Sequence, residues 1–577
     1  MTRSEIIAGL RGRPGPAVLI IGGGINGISV FRELALQGVD VLLAEKDDFC
    51  SGASAALSRM VHGGLRYLEN GEFKLVRESL LERDRLLENA PHFVGPLPTT
   101  VPIFDLFSGV ANGAFRFLGF SRRPSRRGAV VIKAGLTLYD IFTAGRRLMP
   151  KHEFRSRRQT LDAWPAINPD VRNSATYFDA WVSRPERLGV EMLNDAMAAN
   201  PEARALNYTR VSGDGGGVVL TDELTGEALP VAPRLIINAT GGWIDLTNAA
   251  VGAEAPKMMG GTKGSHLVIA NRELYEALAG HMIYYENEDG RICILFPYLG
   301  NVLVGSTDIR VDDPGQVRCE ADERDYILQS LAFVFPGLRI ADEEIVFQFS
   351  GVRPLPASDD SFTGRIPRDH FCEQIAANGP LPPMLCMIGG KWTTFRSFGE
   401  MAADMALDQL GLKRQLGTET LAIGGGRDFP RSPLLWCADQ ADALGVSRER
   451  MGELLERYGT QAPVVAGHEV RHGTAMLSGC RYSAAELHRL VVHEHVERLS
   501  DLLLRRTTLA VTGRLSLELI DEALDVLAVA KGWDAARRLG ERNDFLALLE
   551  HRHGLDSTRL SLTSGRSAQC ASARKSA

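Results

Sequence analysis

Chemistry is announced first by glycines. Gly22, Gly24 and Gly27 follow the apolar run Ala17 to Ile21 (AVLII) and complete a GxGxxG pattern. The next stretch, Ile28 to Gln37, has helical spacing through Ile28, Phe31, Leu34 and Ala35, and Gly38 stops it. A second strand, Val39 to Leu43, ends near Glu45. Strand, glycine turn, helix, strand and acid make a dinucleotide site. Gly22 permits the tight turn, Gly24 lets a pyrophosphate approach the backbone, and Gly27 lets the helix pack close to the sheet. The helix N-terminus offers free N–H groups to the phosphates. Glu45 is placed to accept hydrogen bonds from a ribose diol.

This motif alone does not separate NAD from FAD. Two later segments point to FAD. Leu235 to Gly241 (LIINATG) is a buried strand entering a glycine turn. Met387 to Thr394 (MIGGKWTT) precedes a helical stretch, Phe395 to Leu410. A glycine pair opening a helix makes an N-terminal dipole site, suited to the anionic edge of a reduced flavin.

These motifs need a large scaffold, and the chain has one. It has 577 residues, enough for three or four domain-sized units. Hydrophobic residues make up 45% and charged residues 24%, which excludes collagen-like and wholly disordered chains. The 65 Lys plus Arg against 71 Asp plus Glu give a net charge of −6, which argues against general nucleic-acid binding. Eight cysteines form no CxxC pair, so a zinc ribbon or thioredoxin-like motif is not expected and the thiols read as reduced. Met1 to Pro16 has no apolar core of a secretory signal. No window approaches the ~18 apolar residues of a spanning helix. His488, His493 and His495 fall on different faces of one helix, so no metal is expected.

Five further segments carry a resemblance. They are Ser58 to Glu69 (SRMVHGGLRYLE), Lys263-Gly264-Ser265-His266, Gly305-Ser306-Thr307-Asp308, Ser350 to Leu355 (SGVRPL) and Gly389-Gly390-Lys391. In this order they resemble the FAD-dependent, aerobic respiratory glycerol-3-phosphate dehydrogenases. The similarity runs from about Val18 to Leu410, and more loosely to about Leu549. It implies oxidation of sn-glycerol 3-phosphate to dihydroxyacetone phosphate, FAD as cofactor and a quinone as acceptor. It further implies a peripheral position on the inner, cytoplasmic face of the cell membrane and a homodimer.

The resemblance also implies roles. His62 is the expected general base, because an imidazole titrates near neutrality. His266 is the rival base, or a hydrogen-bond partner of flavin or substrate. Arg66, Arg353 and Arg368 are expected on the substrate phosphate, which suits the planar guanidinium fork. Tyr67 lines the pocket. Lys391 places a cation near the flavin or the substrate. Ser54 and Ser58 lie in a small-residue stretch suited to the diphosphate. Thr240 and Gly241 of the ATG turn, and Gly390 and Thr394 of the GGK turn, complete the cofactor residues.

The expected fold is α/β. A Rossmann-like FAD-binding domain (17–95, 165–260 and 350–412) joins an antiparallel-sheet substrate domain (96–164 and 261–349) of the glucose-oxidase and D-amino-acid-oxidase type. The Gly-rich link Gly424-Gly425-Gly426 leads to an all-helical domain at 425–555, and 556–577 reads as a disordered tail. Residues 101–133 set apolar anchors beside Arg122, Arg123, Arg126, Arg127 and Lys133, a pattern suited to shallow insertion into anionic lipid. Two segments depart from the resemblance: Ser183-Arg184-Pro185-Glu186, and Gly242 after the ATG turn. They leave room for another substrate, such as erythritol phosphate. A redox-silent flavin-binding module and an oxidase are the other readings. The first has no use for His62, Arg353 and Lys391 together, and the second lacks the extra insertion that such relatives often carry.

Overall fold

The computed structural model describes residues 2–64, 72–105, 149–287, 289–315, 317–357 and 369–562, with Lys133, Leu136 and Thr137. Arg66, Tyr67, Arg368 and nearly all of the 101–148 segment beyond Asp105 lie outside the described residues.

Two sheets carry the molecule. The first has six strands in the order Phe371–Ile375, Met384–Ile388, Leu235–Asn238, Val18–Ile21, Val41–Ala44 and Arg204–Leu206. Its strands are parallel except for the first, which runs antiparallel to its neighbour. The central strands are buried on both faces, which is why they read as unbroken apolar runs. Helix Ile25–Leu36 returns the chain over this sheet, and helix Phe395–Leu410 packs on it so closely that a Cβ on Gly399 would stand 2.2 Å from Ser29 Oγ.

The second sheet is mixed and mainly antiparallel. Its central ladder joins Met259–Ile269 to Ile345–Pro356, Asn301–Gly305 and Ile309–Val311. Ile292–Tyr298 and Asn301–Gly305 form the expected hairpin, with Tyr298 opposite Asn301. Val94–Ile103 pairs with Asn173–Val182 along its whole length. Met60–Val61, Asn173–Val182 and residues 350–356 of strand Ile345–Pro356 therefore belong to this sheet, although their sequence position falls within the expected FAD-binding pieces. Strand-like composition does not name a strand's partner; that is set by distant chain.

The helical domain is present, from Pro433–Leu444 to Ala535–His553. Its core is continuous with Val268, Phe296, Phe347 and Phe349 of the second sheet. Two expectations are corrected here. Gly424–Gly426 is no slack link: a Cβ on Gly425 would stand 2.0 Å from Tyr458 O, and one on Gly426 2.3 Å from Asn89 O. These glycines are required by backbone crossing backbone. Residues 556–562, expected in the disordered tail, pack on the core: Leu560 is buried in the helical core and Arg559 donates to Ile345 O, while 563–577 lie outside the described residues. One leucine among polar residues is too weak a period to read.

At the N-terminus, Arg3–Gly12 is a helix with a capping box from Thr2 and Glu5. It buries Ile6, Ile7 and Leu10. No helix of the described residues is long and apolar enough to cross a membrane.

Candidate active site

The site is built from four turns that meet where the two sheets join. The first is the glycine turn. Gly24 stands at the N-cap of helix Ile25–Leu36 in extended conformation. A Cβ on Gly27 would stand 1.9 Å from Gly22 O, and one on Gly22 2.8 Å from Ala239 O, so both positions exclude any side chain. Ser54 does more than keep the segment small: its Oγ accepts from Ile25 N at 2.9 Å, capping the helix from outside.

Glu45 lies at the end of the second strand. Its carboxylate accepts from Gly23 N at 2.6 Å and Asp47 N at 2.9 Å. Burial pushes the carboxyl up to about 7, against the pull of those two donors.

The second turn is ATG. Thr240 Oγ1 donates to Asn238 Oδ1 at 2.7 Å and accepts from Thr247 Oγ1 at 3.1 Å. Its side chain thus braces the turn from within, while Gly241 takes a φ of 61° beside Pro354. The third turn is GGK. Gly390 has a φ of 91°, and a Cβ there would stand 2.9 Å from Asn26 Nδ2. This contact brings the GGK turn against the first glycine turn. Lys391 Nζ donates to Ser79 Oγ at 2.6 Å.

The fourth turn runs from Ala55 to Gly64. Trp392 Nε1 donates to Ser54 O, and Thr393 Oγ1 donates to His62 O at 3.3 Å. Gly63 N donates to Asp179 Oδ1 at 2.7 Å, which fixes the HGG backbone beside half-buried His62. Arg59, buried at a φ of 56°, forms an ion pair with Glu186 at 2.8 Å. Ser58 Oγ lies 2.8 Å from His266 Nε2.

His266 is on the second sheet, stacked on Phe349 at 5.0 Å. Burial, with Arg353 and Arg59 nearby, pushes it down to about 3, so the ring is neutral at physiological pH. Two residues along the strand, on the same face, a Cβ on Gly264 would stand 2.2 Å from an Arg353 guanidinium nitrogen. Arg353 donates to Asp308 Oδ1 and Ser306 Oγ, each at 3.0 Å, and to Thr307 O at 3.1 Å. Lys263 points elsewhere and pairs with Glu323 at 2.6 Å. Glu323 also accepts from Ser265 Oγ and Thr307 Oγ1, which locks the KGSH strand to the GSTD turn.

The contacts thus link Ser58 to His266, Arg353 to Gly264 on the same strand, the His62 backbone to Thr393, and Lys391 to Ser79. Arg66, Tyr67 and Arg368 lie outside the described residues. Sequence reading missed Asn26, Arg59, Ser79, Asp179, Glu186 and Asp308. Asp179 lies in Phe178-Asp179-Ala180-Trp181 and Asp308 in GSTD, but nothing in the sequence pairs them with Gly63 and Arg353.

The residues fit FAD. Buried Asn26 Oδ1, Thr394 Oγ1 and His266 Nδ1 have no hydrogen-bond partner in the protein. A ligand carrying polar groups along this path would satisfy them. Glu45, the N-terminus of helix Ile25–Leu36 and Thr394 after the GGK turn are the residues that would hold its ribose, diphosphate and flavin ends.

Known proteins agree. Residues 17–405 match the FAD dependent oxidoreductase family, and 416–538 match the C-terminal domain of alpha-glycerophosphate oxidase. Over 464 residues the chain is 35% identical to a glycerol-3-phosphate dehydrogenase of Synechocystis sp., covering 77% of each. It is 29% identical to a D-erythritol 1-phosphate dehydrogenase of Brucella abortus, covering 85% of this chain and 93% of that one. The structure of a glycerol-3-phosphate dehydrogenase from Bacillus halodurans complexed with FAD shares the fold, with a TM-score of 0.73 at 22% identity over 95% of this chain and 97% of that chain. The chain belongs to the FAD-dependent oxidoreductases, in the branch that carries the C-terminal domain of the glycerophosphate oxidases.

Proposed function

We propose that the protein oxidises sn-glycerol 3-phosphate to dihydroxyacetone phosphate and delivers the two electrons to a quinone. The observation that carries this reading is Arg353 over Gly264, two residues from neutral His266, with Ser58 of the HGG segment bonded to that histidine. A cation for a phosphate and an imidazole for a carbinol thus share one strand face beside the cofactor turns.

FAD, when bound, supplies a hydride acceptor at flavin N5 for the hydrogen on the carbinol carbon. The chain's residues do the rest. His62 takes the hydroxyl proton as the hydride leaves. His266, held neutral, orients the hydroxyl. Arg353, with Arg66 and Arg368, holds the phosphate, and its bond to Asp308 fixes the plane of the fork. Lys391, anchored on Ser79, adds positive charge where negative charge develops. The cysteines play no part: the described seven are free, and five of these are buried.

The acceptor and location rest on the aerobic dehydrogenase resemblance. A relative 29% identical is named aerobic glycerol-3-phosphate dehydrogenase in Escherichia coli. In this reading the protein acts as a homodimer and as a peripheral enzyme on the inner face of the cell membrane, reached through 101–133, the basic C-terminal tail or both. A second reading, oxidation of a four-carbon alditol phosphate, is favoured by the Brucella relative and by Gly242, whose Cβ position is bounded by Pro314 and Val352.

Anaerobic stopped-flow bleaching of the flavin near ~450 nm, with sn-glycerol 3-phosphate and separately D-erythritol 1-phosphate, tests both. Fast bleaching with the first supports the proposal. Fast bleaching with the second alone moves the substrate. No bleaching with either, while FAD stays bound, ends both. Re-oxidation by quinone against oxygen then separates dehydrogenase from oxidase.

A further inference from the structure

Behind the GGK turn lies a cluster that the proposed reaction does not use. Helix Phe73–Asn89 carries Glu78, and Asp369 and His370 lead into the edge strand Phe371–Ile375, whose Phe371 pairs with Ile388 just before the turn. One ligand atom from each of the three lies within 4.8 Å of the other two, the one such group of three among the described residues. His370 Nε2 is 3.4 Å from Glu78 Oε1, and its Nδ1 is 4.0 Å from Asp369 Oδ1.

We propose that Glu78, Asp369 and His370 form a binding site for a divalent transition-metal cation of the Zn2+ class. Three features support this. The His370 side chain is only 2% exposed, yet its buried Nδ1 has no hydrogen-bond partner. Such an orphan costs free energy unless something satisfies it. One imidazole and two carboxylates are an established ligand set for zinc, with a fourth position left to water. The ligands are also held from behind: Ser397 Oγ donates to Glu78 Oε1, and Phe398 packs against the His370 ring at 4.6 Å. The Asp369 carboxylate is 60% exposed and opens the site to solvent.

Among the described residues, Lys74 and Lys391 are the cations that act on His370. Lys391 Nζ donates to Ser79 Oγ. The competing cluster is His468, His472 and His488, whose rings stack at 4.2 to 6.3 Å. It has no carboxylate among the groups that act on His468, and Arg471 and Arg489 flank it. It is the poorer cation site.

The test is calorimetric titration of chelator-treated, tag-free holoenzyme with Zn2+. One ion per chain is expected, with affinity falling about tenfold or more in E78Q, H370Q and D369N. Asp369 is exposed, so D369N keeps the fold even if the change at buried His370 does not. Far-UV circular dichroism and retained flavin absorbance check this. The proposal is overturned by no binding, by binding that D369N and H370Q leave unaltered, or by binding that falls only in H472A.

Discussion

Ser58 Oγ and His266 Nε2 lie 2.8 Å apart, and this contact joins the cofactor side of the molecule to its substrate sheet. It also separates the roles of two histidines. His266 is buried and pushed down to about 3, so the ring is uncharged across the working pH range. A group so reluctant to protonate is a poor proton acceptor and a good neutral hydrogen-bond partner. The proposed base is His62, with His266 as the rival. H62N should keep FAD and slow flavin reduction roughly 10²–10⁴-fold. The acid limb of the kcat/KM profile should vanish in H62N and survive in H266N. Survival of that limb in H62N would sink the assignment.

Arg353 is bonded to Asp308, Ser306 and Thr307 O. Such a guanidinium is pre-oriented, so its loss should act on binding more than on the chemical step. R353A should raise KM for the phosphate substrate by ~30–160-fold, from roughly 2–3 kcal/mol of charge-assisted hydrogen bonding. R353K keeps the charge but not the fork and should fall between. Steady-state kinetics with a phosphate-free polyol as comparison checks it: both variants should lose discrimination for the phosphate. A drop in kcat alone would move Arg353 away from the phosphate.

Much of the cofactor half was legible because it is local. Gly22, Gly24, Gly27 and Glu45 lie within one strand–turn–helix–strand unit, whose steric demands are visible in sequence spacing. The GGK turn was legible for the same reason. What was hidden is non-local. Ser54 was taken for a small residue near phosphate, yet it caps a helix that begins 29 positions earlier, at Ile25. Arg59 gives no sign in the sequence that Glu186 will neutralise it. Asn173–Val182 carries an ordinary strand pattern that fits either sheet. Gly424–Gly426 has the composition of a flexible link, and only Tyr458 and Asn89 backbone atoms reveal a close crossing. Composition sets what a segment tolerates; its partner decides what it does.

Gly27 offers the sharpest steric test. Its Cβ position is 1.9 Å from Gly22 O, backbone that cannot rotate away. G27A should therefore push the helix off the sheet and cost FAD. The expected result is little yellow protein and a loss of tight flavin binding. Gly12 is the control, because a Cβ there meets nothing within 4 Å. G12A should bind FAD normally, as measured by flavin-to-protein absorbance ratio.

Glu45 should make FAD binding depend on pH. Its carboxyl sits at about 7 in the cofactor-free chain, above the ordinary 4.5. This group favours the folded cofactor-free state fully below about 4.5, and that contribution is lost as pH rises through about 7. A ribose diol donating to Glu45 would favour the ionised form and pull its pKa down. FAD uptake would then release a proton, so affinity should climb as pH rises toward 7, by up to about tenfold per unit, and level off above it. E45Q should bind FAD more weakly and with a flatter profile. Fluorescence titration of the cofactor-free protein from pH 5 to 8.5 reads both. A flat wild-type profile would remove Glu45 from the ribose.

The same loop ties the cofactor site to the helical domain through Asp48. Its side chain is fully buried, 2.7 Å from Arg506 and 2.5 Å from Arg505. Burial alone would raise the carboxyl, but Arg506 and Arg505 outweigh it and hold it at about 2. A carboxyl lowered on folding stabilises the folded state above its unfolded value, 3.8, and that contribution is lost as pH falls toward 2. D48N leaves two buried guanidinium groups short of a counter-charge and should cost about 3–5 kcal/mol in urea unfolding at pH 7. Between pH 4 and 2 the wild type should lose stability more steeply than D48N, so the two should converge. Asp47 N, one residue before, donates to Glu45. D48N should therefore weaken FAD binding as well, while a surface carboxylate such as Asp442, in an exposed pair with Arg448, should change neither property when replaced by Asn.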